Sequence, residues 1–286
     1  MMSFTKRTKA VILNLDIGDK LTAISCGHIV VELIKFIVYQ RLQIPYTYQW
    51  LKQVVNKKKM CDNKDVKESF QSERHFRSAS SALENLDFIL KSLLLEISGS
   101  FIPDEVCIVL GSTQVTCKEV YRILLPITCH KPQCQSSAIA TDQKIQNEVF
   151  RSLVTSEKLC QVFSNIMTPM NMYVFIKKRL TNTQDVKIST DSFELTAGFR
   201  IPSKTRVVVI DFRMENNDNT SCCNDFKIFG DTPTNDYNRL DSDCHEEFCE
   251  IQSTDVAKWY QSTYVMRGFK DCVVNGNSVI NDWLHS

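Results

Sequence analysis

Apolar residues recur along this chain with two periods, and the period changes from one segment to the next. Residues 10–15 (AVILNL) form a short apolar run stopped by Asp16-Ile17-Gly18-Asp19, which has the length and boundary of a β-strand. From about Ser25 to Gln43 the pattern is apolar nearly all round, through Ile29, Val30, Val31, Leu33, Ile34, Phe36, Ile37 and Val38. That predicts a helix wrapped on most sides and ended by Pro45. Glu32 and Lys35 interrupt the run, and a membrane span needs about 20 clean residues, so a buried helix is the better reading. Tyr48–Val55 adds a short helical turn, and the Lys/Asp/Asn-rich stretch 56–69 reads as an exposed loop. The clearest amphipathic stripe follows from about Ser72 to Ser98. Phe76, Ala79, Leu83, Leu86, Ile89 and Leu93 recur there at spacings of three and four, before Gly99 and Pro103 close the helix.

Glu105–Gly111 (EVCIVLG) is a β-branched run of strand length. Thr116 followed by Glu119 reads as a capping box opening a short helix to Leu124. A third long helix is predicted over 142–165, then strands over Met172–Lys178 and Thr205–Phe212 with a loop at 179–204 between them. Residues 215–252 have the Asn/Asp/Ser/Thr bias of a disordered insert, and order is expected to resume at Trp259-Tyr260-Gln261. Helices early and strands late predict an α+β fold, with three helices on one face of a largely antiparallel sheet. The expectation is one domain over 1–271 followed by a tail, 272–286.

Charge changes the picture only locally. The chain carries +1 overall, with 43% hydrophobic and 23% charged residues, so no global field points to nucleic acid or membrane. Residues 215–252, however, hold ten acids and two bases, a net of −8 that leaves about +9 on the remainder. The one dense basic run, Lys57-Lys58-Lys59, lacks the interleaved aromatics of a nucleic-acid surface. The N-terminal apolar run is too short for a secretory leader. With that reading, twelve cysteines imply reduced thiols in a cytosolic or nuclear protein. Cys129-His130 with Cys134, and Cys244-His245 with Cys249, lack the paired tight spacing of structural zinc sites, so no metal and no cofactor is expected.

Catalytic templates are missing too. There is no GxxxxGK[ST], GxGxxG, HExxH or GxSxG, eight glycines leave little for a phosphate loop, and the five histidines are scattered. The chain reads as a binding protein, not an enzyme.

One segment is distinctive. Cys26–Pro45 contains E-L-x-K-x-x-x-Y-Q-R-x-Q-x-P, from Glu32 through Tyr39, Gln40, Arg41 and Gln43. It resembles the first long helix of the comet family, a HORMA-like group that binds the mitotic-arrest-deficient-two checkpoint protein. Three further blocks agree in order: Phe101-Ile-Pro103 through Glu119-Val-Tyr121, Phe199-Arg-Ile-Pro-Ser203, and Trp259-Tyr-Gln261 through Arg267-Gly-Phe-Lys-Asp271. The resemblance implies a HORMA-like fold whose C-terminal segment (Trp259, Tyr260, Gln261, Gly268, Phe269) is wrapped as a self-occupied safety belt. It implies an adaptor that pairs with the closed checkpoint protein as a heterodimer and blocks that protein's self-dimerisation surface. The adaptor would then present its partner to an AAA+ remodelling ATPase of the Pch-two type, in nucleus and cytoplasm and at the mitotic spindle.

Partner contacts implied by the resemblance fall on Gln40, Phe150 and the neighbouring Arg151. On periodicity alone Phe150 reads as a core residue, and Gln40 as a helix-end polar one. Asn147 and Glu148 stand where a relative carries basic residues, and Leu195-Thr196 stand where it has Pro-Lys near the remodeller-engaging region; no remodeller-binding residue is assigned. The rival readings are a HORMA protein whose belt closes on a partner's peptide, such as a polymerase or meiotic-axis subunit, and an enzyme assembled from scattered Cys and His.

Overall fold

In the computed structural model, the described residues are 10–15, 21–61, 69–99, 102–126, 138–179, 191–196, 200–213, 257–274 and 276–285. The elements run β1 (Val11–Asn14), α1 (Ala23–Gln40), α2 (Tyr48–Cys61), α3 (Phe70–Ser98), β2 (Glu105–Gly111), β3 (Cys117–Leu124), α4 (Ala138–Thr155) and α5 (Glu157–Phe163). They continue β4 (Asn171–Arg179), β5 (Phe193–Leu195), β6 (Arg206–Asp211), β7 (Ala257–Ser262), β8 (Met266–Arg267), β9 (Val273–Val274), β10 (Asn277–Ser278) and α6 (Val279–His285).

The fold is α+β. Strand order is β1-β6-β3-β2-β4-β7-β5, with β8 also pairing β4. Pairing is mainly antiparallel, but β6 lies parallel to both β1 and β3. Central strand β2 is buried along its whole length, because alternate residues serve two cores. Val106, Ile108 and Leu110 meet the main core under the helices, while Cys107 and Val109 join Val120 and Phe175 on the opposite face. Burial holds the Cys107 thiol well above its ordinary range.

Helix α1 starts at Thr22, whose hydroxyl accepts the Ser25 N–H at 3.0 Å while Ser25 reciprocates to the Thr22 N–H. By length and composition it could cross a membrane, yet 56% of that window is buried against the rest of the fold. It crosses α3 closely at Gly27, where an added Cβ would stand 2.9 Å from Leu94 Cδ1.

Several elements differ from the sequence expectation. The Thr116/Glu119 signature opens strand β3, not a helix: Thr116 exchanges hydrogen bonds with Thr113 in the turn after β2, and Glu119 faces the core. Helix α2 continues through 56–61 instead of giving way to a loop. Lys58 lies 4% exposed on its inner face, and Lys59 pairs with Glu84 of α3 at 2.6 Å. The third long helix divides at Ser156, whose hydroxyl caps α5 by accepting the Leu159 N–H. Within 179–204, β5 adds a strand beside β7. The acidic stretch 215–252 lies outside the described residues.

The expected tail is also part of the body. α6 packs on α2 and α3 and buries Trp283, whose indole N–H donates to Ser72 Oγ at 2.9 Å.

Candidate functional site

Gln40 and Phe150 come from α1 and α4, which pack against each other. Phe36, one turn before Gln40, meets the Phe150 ring edge-on at 6.1 Å between centroids, and the Phe163 ring at 5.7 Å. Edge-to-face pairs at such spacing contribute about 0.5–1.5 kcal/mol beyond area burial. The result is a ledge of three half-buried rings with Gln40, also half-buried, at its end.

Phe150 is partly buried, between a core residue and a fully exposed one. Ile145, Val149 and Leu153 form the inward stripe of α4, each at most 3% exposed. Phe150 lies about 100° around the helix from Val149, so its ring leans on the core with one side and meets solvent with the other. Arg151 is exposed. The same elements expose Tyr39 and Val154, and the segments after α1 and α5 expose Leu42 and Ile166.

The rest of the Y-Q-R-x-Q motif turns inward and holds the ledge in place. Helix α1 ends with Leu42 in the left-handed region, at φ 53°. The Leu42 N–H reaches Tyr39 O and the Gln43 N–H reaches Val38 O, the paired bonds of a Schellman end. A non-glycine residue in that conformation costs on the order of 1–2 kcal/mol, so the surrounding contacts must enforce it.

Those contacts form a buried polar knot. Arg41, 2% exposed, donates from Nε to Glu119 Oε2 at 2.7 Å, and from Nη1 to the carbonyls of Val162 at 3.3 Å and Asn165 at 2.8 Å. The guanidinium thus pairs a buried carboxylate and satisfies carbonyls at the C-terminal end of α5. Tyr121 donates its hydroxyl to the same Glu119 oxygen at 2.9 Å. Burial first, then that neighbouring charge, pushes its phenol well above the ordinary range. Among the described residues, Glu119 Oε1 makes no hydrogen bond and faces the Arg206 guanidinium 3.5 Å away.

Gln43 is fully buried and joins three segments. Its Nε2 donates to Arg41 O at 2.7 Å, its Oε1 accepts the Met170 N–H at 2.7 Å, and its carbonyl accepts the Phe269 N–H at 3.0 Å. Gly268 completes the knot by donating to Met170 O at 2.8 Å. A Cβ there would stand 2.7 Å from Met170 O and 3.0 Å from Gln43 O, so the close approach demands glycine.

The C-terminal residues divide into two groups. In β7, Trp259 faces the smaller core with Lys177 Nζ 5.8 Å from its ring, Tyr260 faces the main core, and Gln261 lies across from Phe175. Gly268 and Phe269 instead lock onto the end of α1.

Sequence reasoning missed the roles of Arg41, Gln43, Glu119 and Tyr121. One signal was available: once 117–124 is a strand, Glu119 shares its core-facing side with Tyr121 and Ile123, and an acid there requires a buried cation. Both Cys/His groups weighed as metal ligands lie outside the described residues, and among the described residues no three metal-binding side chains gather.

A family model described as "p31comet: Mad1 and Cdc20-bound-Mad2 binding" matches residues 10–231. The chain is also similar to the MAD2L1-binding protein of Mus musculus, 26% identical over 181 residues. That alignment covers 63% of this chain and 61% of the mouse protein, less than two-thirds of the relative's length.

Proposed function

This chain belongs to the p31comet family, and from that we propose that it binds Mad2 through the ledge of Phe36, Gln40 and Phe150. The observation that carries the reading is the ledge itself: a partly exposed ring on α4, braced by Phe36, with an amide at a strained helix end. An aromatic anchor of this kind can bury about 150–250 Å² against a partner. A half-buried amide adds hydrogen bonds without drawing a charge out of water.

In this reading the partner is the closed conformer of Mad2, and covering its self-pairing surface is what the adaptor does. The pair is then handed to an AAA+ remodelling ATPase, which silences the spindle checkpoint in nucleus, cytoplasm and at the spindle. The adaptor contributes binding and no bond chemistry. Supporting the self-occupied belt, β7 and β8 both pair with β4, and β5 flanks β7, so this side of β4 is filled from within the chain. Among the described residues, a belt filled in this way leaves no free edge on β4 for a partner's peptide, which favours the adaptor over the peptide-closing reading.

Calorimetric titration with closed Mad2 tests the proposal. Phe150→Ala should weaken binding by about 2–4 kcal/mol, roughly 30-fold to nearly 1000-fold. Gln40→Ala should weaken it by about 0.5–2 kcal/mol. A folded double variant that binds with unchanged affinity would refute the ledge as the interface.

A further inference from the structure

Away from the ledge, a groove of about 480 Å³ runs along the first half of α3 and is closed on its other side by the turn after β8. Phe70, Arg74, Arg77 and Ser81 line one wall, and Arg267 with Phe269 the other. Its polar inventory is one-sided. Three guanidiniums and the Ser81 hydroxyl offer donors, the Ser78 hydroxyl donates to the Arg74 carbonyl, and the one carboxylate in the lining, Glu73, is paired with Arg77. Among the described residues, Arg74 and Arg267 have no carboxylate partner. Arginine keeps its charge at every physiological pH, so these donors call for a permanent acceptor.

We propose that this groove binds a short acidic segment of a protein partner, in extended form. Carboxylates would meet Arg74, Arg77 and Arg267, and an apolar side chain would cover Phe70, which stands 77% exposed at the mouth. Dimensions agree: the twelve-residue rise from Phe70 to Ala82 is about 18 Å, the reach of five or six extended residues. Planar carboxylates suit the forked guanidinium, and the groove's recessed walls exclude a flat membrane surface. Charge complementarity selects the occupant, and the chain's own acidic stretch 215–252 is the competitor to be distinguished.

Fluorescence anisotropy of the intact chain with a labelled Glu-Glu-Phe-Glu-Glu-Leu-Glu peptide tests this. Binding should weaken about tenfold or more in the Arg74→Glu/Arg267→Glu variant, since like charges replace complementary ones. It should persist in Lys270→Glu, an exposed site outside the lining, and both variants should keep the wild-type melting temperature. Equal affinity in the Arg74/Arg267 variant overturns the proposal. So does complete displacement by low-millimolar inorganic phosphate, which would mark a simple anion site. Binding seen only after the acids of 215–252 are changed to amides would show that the chain fills its own groove, and would overturn a partner as occupant.

Discussion

Around Arg41 the end of α1 is held by a buried ion pair, and around His75 the C-terminal chain is held by rings. Phe269 joins the two clusters: its N–H donates to Gln43 in the first, and its ring meets the His75 ring at 5.6 Å in the second. His75 also packs on Trp283 at 5.4 Å, and its Nε2, buried and without a hydrogen bond among the described residues, lies 3.8 Å from Asp271 Oδ1. Asp271 is otherwise engaged, accepting from Tyr46 at 2.9 Å and Ser278 at 2.9 Å. Burial raises the Tyr46 phenol above its ordinary range. The first cluster contains no histidine and nearly all its polar atoms are paired, whereas the second keeps a titratable ring short of a partner. One is built to stay charged, the other to stay neutral.

The largest effect should come from breaking the charged cluster. Glu119→Ala leaves Arg41 buried without its carboxylate, a loss of about 3–5 kcal/mol. Chemical denaturation should show it, with Phe150→Ala costing only about 1–2 kcal/mol because one side of that ring already meets solvent. A Glu119→Ala cost below that of Phe150→Ala would mean that the knot does not hold the ledge.

A smaller effect belongs to the ring cluster. Trp283 is 1% exposed, and removing it empties the space beside His75 and Phe76. Trp283→Ala should cost about 2–4 kcal/mol, at the low side for a buried tryptophan because a terminal helix can peel away locally. Removing residues 272–286 should lower the melting temperature in step. An unchanged melting temperature would return this segment to the dispensable tail that the sequence suggested.

The sequence revealed the two clusters unequally. Long periodic elements such as α1 and α3 were legible because their stripes each match one period, and the Y-Q-R-x-Q motif was legible as a family resemblance. What it did not reveal is that Gln40 turns outward while Arg41 and Gln43 turn inward. That division depends on Leu42 adopting positive φ, which no spacing rule predicts for leucine. Thr116 and Glu119 satisfy a helix-capping pattern, yet Thr116 sits in the turn after β2 and Glu119 in strand β3, because pairing with β2 and the Arg41 contact outweigh a local signal. The ring cluster was hidden for a simpler reason. Val279, Ile280 and Trp283 make one apolar face on a seven-residue helix, too short for periodicity to separate from chance.

The smallest and sharpest test concerns protons. Burial lowers the His75 pKa below its ordinary 6.5, and the Asp271 charge only partly opposes that. Above pH 6.5 the ring is neutral in folded and unfolded chains alike, so its contribution to stability is fully present. As pH falls through 6.5 toward the depressed folded value, the unfolded chain takes up a proton that the folded chain refuses, and stability declines. The slope from this one group can approach about 1.4 kcal/mol per pH unit within that window. Asp271 is the charged group facing the ring, with Tyr46 bound to its far oxygen. His75→Phe keeps the ring contacts with Phe269 and Trp283 but cannot titrate. Its denaturation free energy between pH 6.5 and 5 should therefore fall less steeply than that of the wild type. Asp271→Asn should act oppositely: without the opposing charge the His75 pKa drops further, and the decline extends to lower pH. Parallel stability profiles for wild type and His75→Phe would show that the ring cluster, like the charged one, is indifferent to protons in this range.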